Sequence, residues 1–334
     1  MYKRQSGGTA AALAAGLTGL DSGSDIGGSI RNPAHFCGVY GHKPTWGIIP
    51  EEGHELQPGA APTELAVVGP LARSADDLAL ALRVTAGPNV LNEAGWQLNL
   101  PEPRARSLSE FRVAVWPTDD VSQVDQSIVD RIQDVADLLA RRGAQVSDTA
   151  RPAFSSRDAQ NTYRTMLVSR TSSSASNQEF EASVANAASY PADDMSTEAI
   201  SARSRVIPFR DWLSFANTQN QIRLQWKAFF EDWDILLSPI MATTAFLHDH
   251  SPQNERTLAV NGMEVPYLDQ VFWAGLANLG NLPGTVFPTG LSDDGLPIGL
   301  QALGAEFADR TTIEFARLMS RELGGFQPPG GYSS

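Results

Sequence analysis

Ser29 closes the run Gly23-Ser24-Asp25-Ile26-Gly27-Gly28-Ser29, and its hydroxyl is a group that could do chemistry. A serine hydroxyl attacks a carbonyl only when something takes its proton, and acyl transfer also requires donors for the oxyanion that forms. Asp25-Ile26-Gly27-Gly28-Ser29 can meet the second need. Two glycines before a serine let the backbone turn sharply and point several N–H groups into one small space. A helix starting after Ser29, with Pro33 in its first turn, would add positive potential there. For an isolated Gly-Gly-Ser, a plain turn from strand to helix is the simpler reading.

Other residues compete for a chemical role. Asp25 and Arg31 flank the turn at a spacing that permits a charge-assisted clamp. His35, His42 and His54 lie near Ser29 in sequence and make a Ser-His-Asp triad conceivable, although nothing in their spacing favours it. His248-Asp249-His250 offers two histidines with no third partner, so it reads as a polar loop and no metal is expected. Lys43 is the lysine nearest to Ser29. The glycine-rich stretch from Gly19 to Gly28 lacks both the lysine of a P-loop and the full dinucleotide fingerprint, so no nucleotide cofactor is implied. Cys37, between Phe36 and Gly38, reads as a packed thiol.

Alternating helices and strands must position these groups. Ala10 to Ala15 reads as a helix capped by Thr9, and Leu17 to Ser22 as a short strand feeding the Gly-Gly-Ser turn. Ser74 starts a helix with an acidic first turn that Gly87-Pro88 stops. Phe111 to Trp116 is a buried strand, Ser122 to Arg142 an amphipathic helix closed by Gly143, and Ala144 to Ser147 the next strand. Residues 155–204, rich in Ser, Ala and Asn, read as helices and loops over the face where substrate choice would be set. Phe209 to Phe230 is a long helix whose aromatic stripe reads as core. Ile235 to Leu237 is a strand, Asn261-Gly262 a tight hairpin turn, and Tyr267 to Leu279 helical. Ser292-Asp293-Asp294-Gly295 turns a second hairpin between Thr285–Thr289 and Pro297–Leu303, and Asp309 to Leu323 is the last helix.

Composition narrows the class. The 334 residues are 42% hydrophobic and 19% charged, as expected of a globular chain that can bury a large core. A net charge of −13 argues against a broad phosphate-binding face and hence against direct nucleic-acid binding. With one cysteine no internal disulfide forms, which suits a reducing, cytoplasmic setting. No apolar run of about 18 residues is present to cross a membrane.

The ordered set of motifs resembles the amidase signature family. It comprises Ser6-Gly7-Gly8-Thr9 with its Ala-rich continuation, Gly23 to Pro33, Phe36-Cys37-Gly38, Gly41-His42-Lys43-Pro44-Thr45 and Val68 to Asp77. It resumes in Gly295 to Gln301 and Asp309-Arg310-Thr311; the middle matches only in general pattern. The resemblance implies an α/β/α sandwich with a mixed central sheet and a Ser–cis-Ser–Lys hydrolase without cofactor. By position in the motif, Ser29 is the nucleophile, and the N–H groups of Ile26, Gly27, Gly28 and Ser29 form the oxyanion hole. Ser6 is a supporting hydroxyl, Asp25 and Arg31 the clamp, and the Lys43 position is structural.

Two features depart from the family. The place of the cis-serine is held by Gln5, whose carboxamide cannot relay a proton, and the catalytic lysine falls upstream of Met1. The opening Met1-Tyr2-Lys3-Arg4-Gln5 fits nothing in the family and reads as a foreign junction on a truncated chain, ahead of one amidase domain over 6–330 and a tail at 331–334. The expected reaction is hydrolysis of a small carboxamide to carboxylate plus ammonia or amine through a Ser29 acyl-enzyme, with the chain as written inactive. An amidase subunit of a transamidation complex acting on charged tRNA, and a catalytically dead homologue serving as a binding module, stay open, as does a homodimer.

Overall fold

The computed structural model describes residues 6–54, 59–253 and 255–332. Its centre is an eight-stranded sheet in the order β1-β3-β2-β9-β10-β6-β4-β5. The strands are β1 (Leu20–Asp25), β2 (Tyr40–Lys43), β3 (Val67–Ala72), β4 (Arg112–Val115), β5 (Gln145–Ser147), β6 (Ile235–Ser238), β9 (Gly284–Leu291) and β10 (Pro297–Leu303). From β1 to β6 neighbours run antiparallel, whereas β6, β4 and β5 are parallel, so the sheet is mixed. A separate hairpin, β7 (Thr257–Val260) and β8 (Met263–Pro266), turns at Asn261-Gly262. Both turn residues have positive φ, 51° and 76°, the backbone that lets a two-residue hairpin follow the strand twist.

Side chains alternate across the sheet and divide it into two faces. In β9 and β10, Val286, Gly299 and Gln301 face α2 (Arg31–Cys37), which packs beside α1 (Gly7–Ala14). Their neighbours Phe287 and Leu300 join the larger core with Phe315 of α10 (Asp309–Leu323), and the Phe287 and Phe315 rings meet edge-on at 5.9 Å. Helix α3 (Ala75–Thr85) packs beside α10 and against β3. Covered on both faces, the sheet forms the middle layer of an α/β/α sandwich.

Helix α4 (Gln126–Arg141) buries one stripe, Ile128, Ile132, Val135, Ala136 and Leu139. It starts later than the pattern from Ser122 predicts: the Ser122 N–H closes a turn on Asp119 O at 3.1 Å, and the Asp125 N–H donates to Ala242 O at 2.8 Å. Four helices follow: α5 (Ser156–Ser172), α6 (Asn177–Ala188), α7 (Thr197–Ser204) and α8 (Phe209–Asp232). The later part of the α8 stripe is core, with Ile222, Trp226 and Phe229 buried, whereas Trp212 and Phe215 pack against that core only partly buried. Tyr267 to Gln270 makes a tight turn that leads into α9 (Val271–Leu279).

Two boundaries near Ser29 differ from expectation. Strand β1 runs from Leu20 to Asp25, three residues later than the apolar pattern suggests, because every residue from Leu20 to Asp25 pairs with β3, from Ala72 back to Val67. Helix α1 begins at Gly7 with Ser6 as its N-cap residue, not Thr9; no side chain among the described residues caps it, and the Ala10 N–H donates to Ser6 O at 3.0 Å. Gln5 and the rest of Met1 to Gln5 lie outside the described residues, as do Ser333 and Ser334 of the tail.

Candidate active site

The turn Ile26 to Ile30 joins β1 to α2, and the Asp25 carboxylate at the strand end organises it. Oδ1 accepts the Gly28 N–H at 2.8 Å, and Oδ2 accepts those of Ile30 at 3.3 Å and Arg31 at 3.4 Å. Gly28 is required here: its φ is +92°, and a Cβ would stand 2.3 Å from the buried Asn32 side chain. The Asn32 N–H then returns to Gly28 O at 2.6 Å.

Arg31 meets Asp25 with two parallel hydrogen bonds, Nε to Oδ2 and Nη2 to Oδ1, both 3.0 Å, and both side chains are fully buried. Its remaining donors reach Gln301 Oε1 of β10 at 2.9 Å, and Asn278 Oδ1 and Ala274 O of α9 at 2.6 and 3.1 Å. Asn278 Nδ2 bridges Asp25 to Leu65 O, at 2.9 Å from the latter. Gln301 Nε2 donates to Ser238 Oγ, Pro239 O and Trp273 O. One ion pair thus ties the turn to three elements far away in sequence.

The electrostatics follow from burial and this pairing. Burial pushes the Asp25 carboxyl up, but the Arg31 charge and hydrogen bonds, the Lys43 charge and the Gly28 N–H overcome it and hold it at about 2. Burial, with the Arg31 charge, pulls Lys43 down to about 7, against Asp25 and Asp309. Lys43 Nζ donates to Pro44 O at 2.9 Å and Leu282 O at 2.8 Å. Those carbonyls hold it inside the fold, and no bond to Ser29 is among its hydrogen bonds.

The four N–H groups expected to form the oxyanion hole divide. That of Gly28 is engaged by Asp25, so it is not a free donor. Those of Ile26, Gly27 and Ser29 donate to no acceptor among the described residues. The expected positive potential at the start of α2 is also altered, because Asp25 occupies its first N–H groups. From the far side, Tyr163 Oη of α5 donates to Ile26 O at 2.8 Å, and burial pushes this phenol well above its ordinary range. Ser6 is brought to the same place: its N–H donates to Ser29 O at 3.0 Å, and its side chain lies where a Gly23 Cβ would stand, 2.1 Å from Ser6 Oγ.

The histidines are elsewhere. His35 Nδ1 accepts the Gly299 N–H at 2.9 Å while Nε2 donates to Thr243 O at 3.1 Å, and burial lowers its pKa. His42 lies between Thr285 Oγ1, at 2.9 Å, and Asp309 Oδ1, at 3.2 Å. With both nitrogens engaged, neither ring addresses Ser29. His54 and the loop bearing His248 and His250 are exposed, and no group of three His, Cys, Asp or Glu among the described residues could hold a metal. Cys37 is a free thiol whose pKa burial raises.

Sequence reasoning assigns no role to Tyr163, Asn278 or Gln301. Asn278 carries a signal, a lone amide in the otherwise apolar run Val271 to Leu279. Gln301 sits inside one of the family-like motifs, but nothing in its spacing pairs it with Arg31. Tyr163 carries none, because α5 has little apolar periodicity.

This arrangement has parallels among known proteins. The family model described as Amidase matches residues 5–313. A glutamyl-tRNA(Gln) amidotransferase subunit of Synechococcus sp. (strain RCC307) is 28% identical over 344 residues, covering 93% of this chain and 65% of the relative. Indoleacetamide hydrolase of Bradyrhizobium diazoefficiens is also 28% identical, covering 96% of this chain and 58% of its own length. The chain therefore spans about three fifths of the length of these two relatives. Among solved structures, the corresponding glutamyl-tRNA(Gln) amidotransferase subunit of Thermotoga maritima superposes with a TM-score of 0.72 at 25% identity, covering 97% of this chain and 68% of that one. A bacterial aryl acylamidase shares the fold with a TM-score of 0.73 at 24% identity, covering 98% and 66%. On the match across residues 5–313 and the shared fold, this chain belongs to the amidase signature family.

Proposed function

We propose that this chain carries the acyl-transfer half of an amidase, with Ser29 as nucleophile and the N–H groups of Ile26, Gly27 and Ser29 as oxyanion donors. The observation that carries the reading is that these three donors have no acceptor among the described residues, while Asp25, Arg31 and Tyr163 fix the turn on either side of them. Donors held in place before reaction need no reorganisation when the oxyanion forms. Gly28 acts instead through Asp25, setting the shape of the turn.

Ser29 Oγ adds to the amide carbonyl carbon and gives its proton to a base. The C–N bond breaks as that proton passes to the leaving nitrogen, so ammonia or an amine departs and an ester to Ser29 remains. Water then cleaves the ester to carboxylate and regenerates the hydroxyl. The family places the base, a lysine acting through a cis-serine, outside the described residues. Ser6 lies beside the turn as a supporting hydroxyl. One free thiol and no disulfide support a cytoplasmic setting.

Similarity to the two amidotransferase subunits supports a second reading, in which the amidase works within a complex. Size-exclusion chromatography with light scattering separates monomer, homodimer and complex. The reaction is tested by preceding Ser6 with a family-type segment that carries the lysine and cis-serine, treating the protein with a fluorophosphonate probe, and sequencing the labelled peptide. Label on Ser29, lost in Ser29→Ala and kept in Ser6→Ala, is expected. Label on Ser6, Ser24 or another residue overturns the assignment, and absence of any label favours a binding module.

A further inference from the structure

The β7–β8 hairpin turns on Asn261-Gly262, and both turn residues are exposed. This pair of residue types carries a chemistry of its own. The backbone nitrogen that follows an asparagine can attack the side-chain amide carbon, and a glycine there has no side chain to block the approach. Asn261 is the one asparagine in the sequence that precedes glycine. The attacking group is unencumbered: the Gly262 N–H donates to no acceptor among the described residues, and the space where a Cβ would stand is open.

The group to be attacked is held instead. Asn261 Nδ2 donates to Val124 O at 3.1 Å, and Oδ1 accepts the Gln126 N–H at 2.8 Å. These partners lie on either side of Asp125, in the lead into α4. That lead is itself fixed, because the Asp125 N–H donates to Ala242 O and the Trp273 indole N–H to Ser122 O at 3.2 Å. The apolar cluster of the hairpin is small, with Leu258, Val260 and Tyr267 packed around Ala242, so the Asn261 amide is a substantial part of what fastens it. Closing a ring draws Cγ onto the Gly262 nitrogen and carries both amide atoms with it, so neither hydrogen bond survives the step.

We propose that Asn261 is a self-modification site, kept closed by its hydrogen bonds to Val124 and Gln126, whose conversion to an acid releases the hairpin from α4. The Gly262 nitrogen loses its proton to hydroxide and bonds to Asn261 Cγ. The Cγ–Nδ2 bond breaks, and the departing nitrogen takes a proton from water and leaves as ammonia. One water then opens the cyclic imide at either carbonyl, giving aspartate or isoaspartate. An aspartate still accepts the Gln126 N–H but has no donor for Val124 O, and it sets a negative charge against that carbonyl. Isoaspartate adds a carbon to the backbone of a tight turn. The chemistry is separate from the reaction at Ser29 and needs no residue of that site.

The full chain, folded and unfolded in guanidinium chloride, is incubated at one alkaline pH, and the peptide bearing Asn261 is followed by mass spectrometry. Conversion should be at least about tenfold slower in the folded chain, the factor expected of two hydrogen bonds of ordinary net strength. Gln126→Pro removes one of them. Gln126 is the first residue of α4, where proline is tolerated, and Asp125 before it already has φ −58° and ψ 138°. In this variant, shown by circular dichroism to be folded, conversion should rise about fivefold in the folded state and stay at the parent rate in the unfolded state. A second measurement needs no change in α4: in Asn261→Asp, amide hydrogen exchange across 257–266 should quicken while that of β9 and β10 stays unchanged. Equal rates in the folded and unfolded parent, a folded Gln126→Pro that converts no faster, or unchanged exchange in Asn261→Asp overturns the proposal.

Discussion

The Arg31 guanidinium and the Asp25 carboxylate meet in parallel at 3.0 Å with neither side chain exposed to solvent. The pair is satisfied on all sides, by backbone N–H groups on the carboxylate and by Gln301, Asn278 and Ala274 on the guanidinium. A buried ion pair so completed fixes geometry more than it adds stability, but removing one partner leaves an uncompensated charge in the interior.

Arg31→Ala should accordingly destabilise the fold by about 3–5 kcal/mol, read by urea denaturation at neutral pH. The pair also predicts an acid limb. The Asp25 pKa is lowered from 3.8 to about 2 on folding, so its contribution is full above the unfolded value and disappears as pH falls through about 2. A chain whose stability is flat from pH 5 down to pH 2 would contradict this.

Lys43 predicts a second rise of stability with pH, on the alkaline side. Its pKa is lowered from 10.5 to about 7, so between these values the unfolded chain binds a proton that the folded chain does not. Stability should rise with pH across that window, by up to about 1.4 kcal/mol per pH unit. Subtracting the melting profile of Lys43→Met isolates the effect, and identical slopes for the two proteins from pH 7.5 to 9.5 would refute it.

Tyr163→Phe removes the donor to Ile26 O and keeps the ring that packs against Gly275. The expected loss of stability is about 1 kcal/mol. Because the lost bond holds the turn, fluorophosphonate labelling of Ser29 in the extended protein should slow by more than this change in stability explains at temperatures where the variant is fully folded.

Gly28→Ala and Gly27→Ala should separate sharply. At Gly28, φ is +92° and the added methyl would press on buried Asn32, so a loss of about 1–3 kcal/mol is expected. At Gly27, the nearest atom to the methyl is Tyr163 Oη at 3.5 Å, an ordinary contact, and stability should change little. Equal melting temperatures for the two variants would place the strain elsewhere.

By itself the sequence determined several of the elements and the place of a Gly-Gly-Ser turn between a strand and a helix. Periodicity is local, so α3, α8 and α10 and both hairpins were legible from spacing, caps and Gly-containing turns. Asp25 and Arg31 were legible as a pair because six residues separate them. Only the tertiary structure decided what surrounds the pair. Asn278 and Gln301 lie 247 and 270 residues from Arg31, and hydrogen-bond partners at such separations leave no periodic trace in the chain. Pairing with β3 moved the end of β1 to Asp25, and that position put the carboxylate under the turn. The division of the four N–H groups followed: a carboxylate brought beneath them takes the Gly28 donor and leaves Ile26, Gly27 and Ser29 without an acceptor among the described residues, an outcome set by the packing of strand, helix and buried charge.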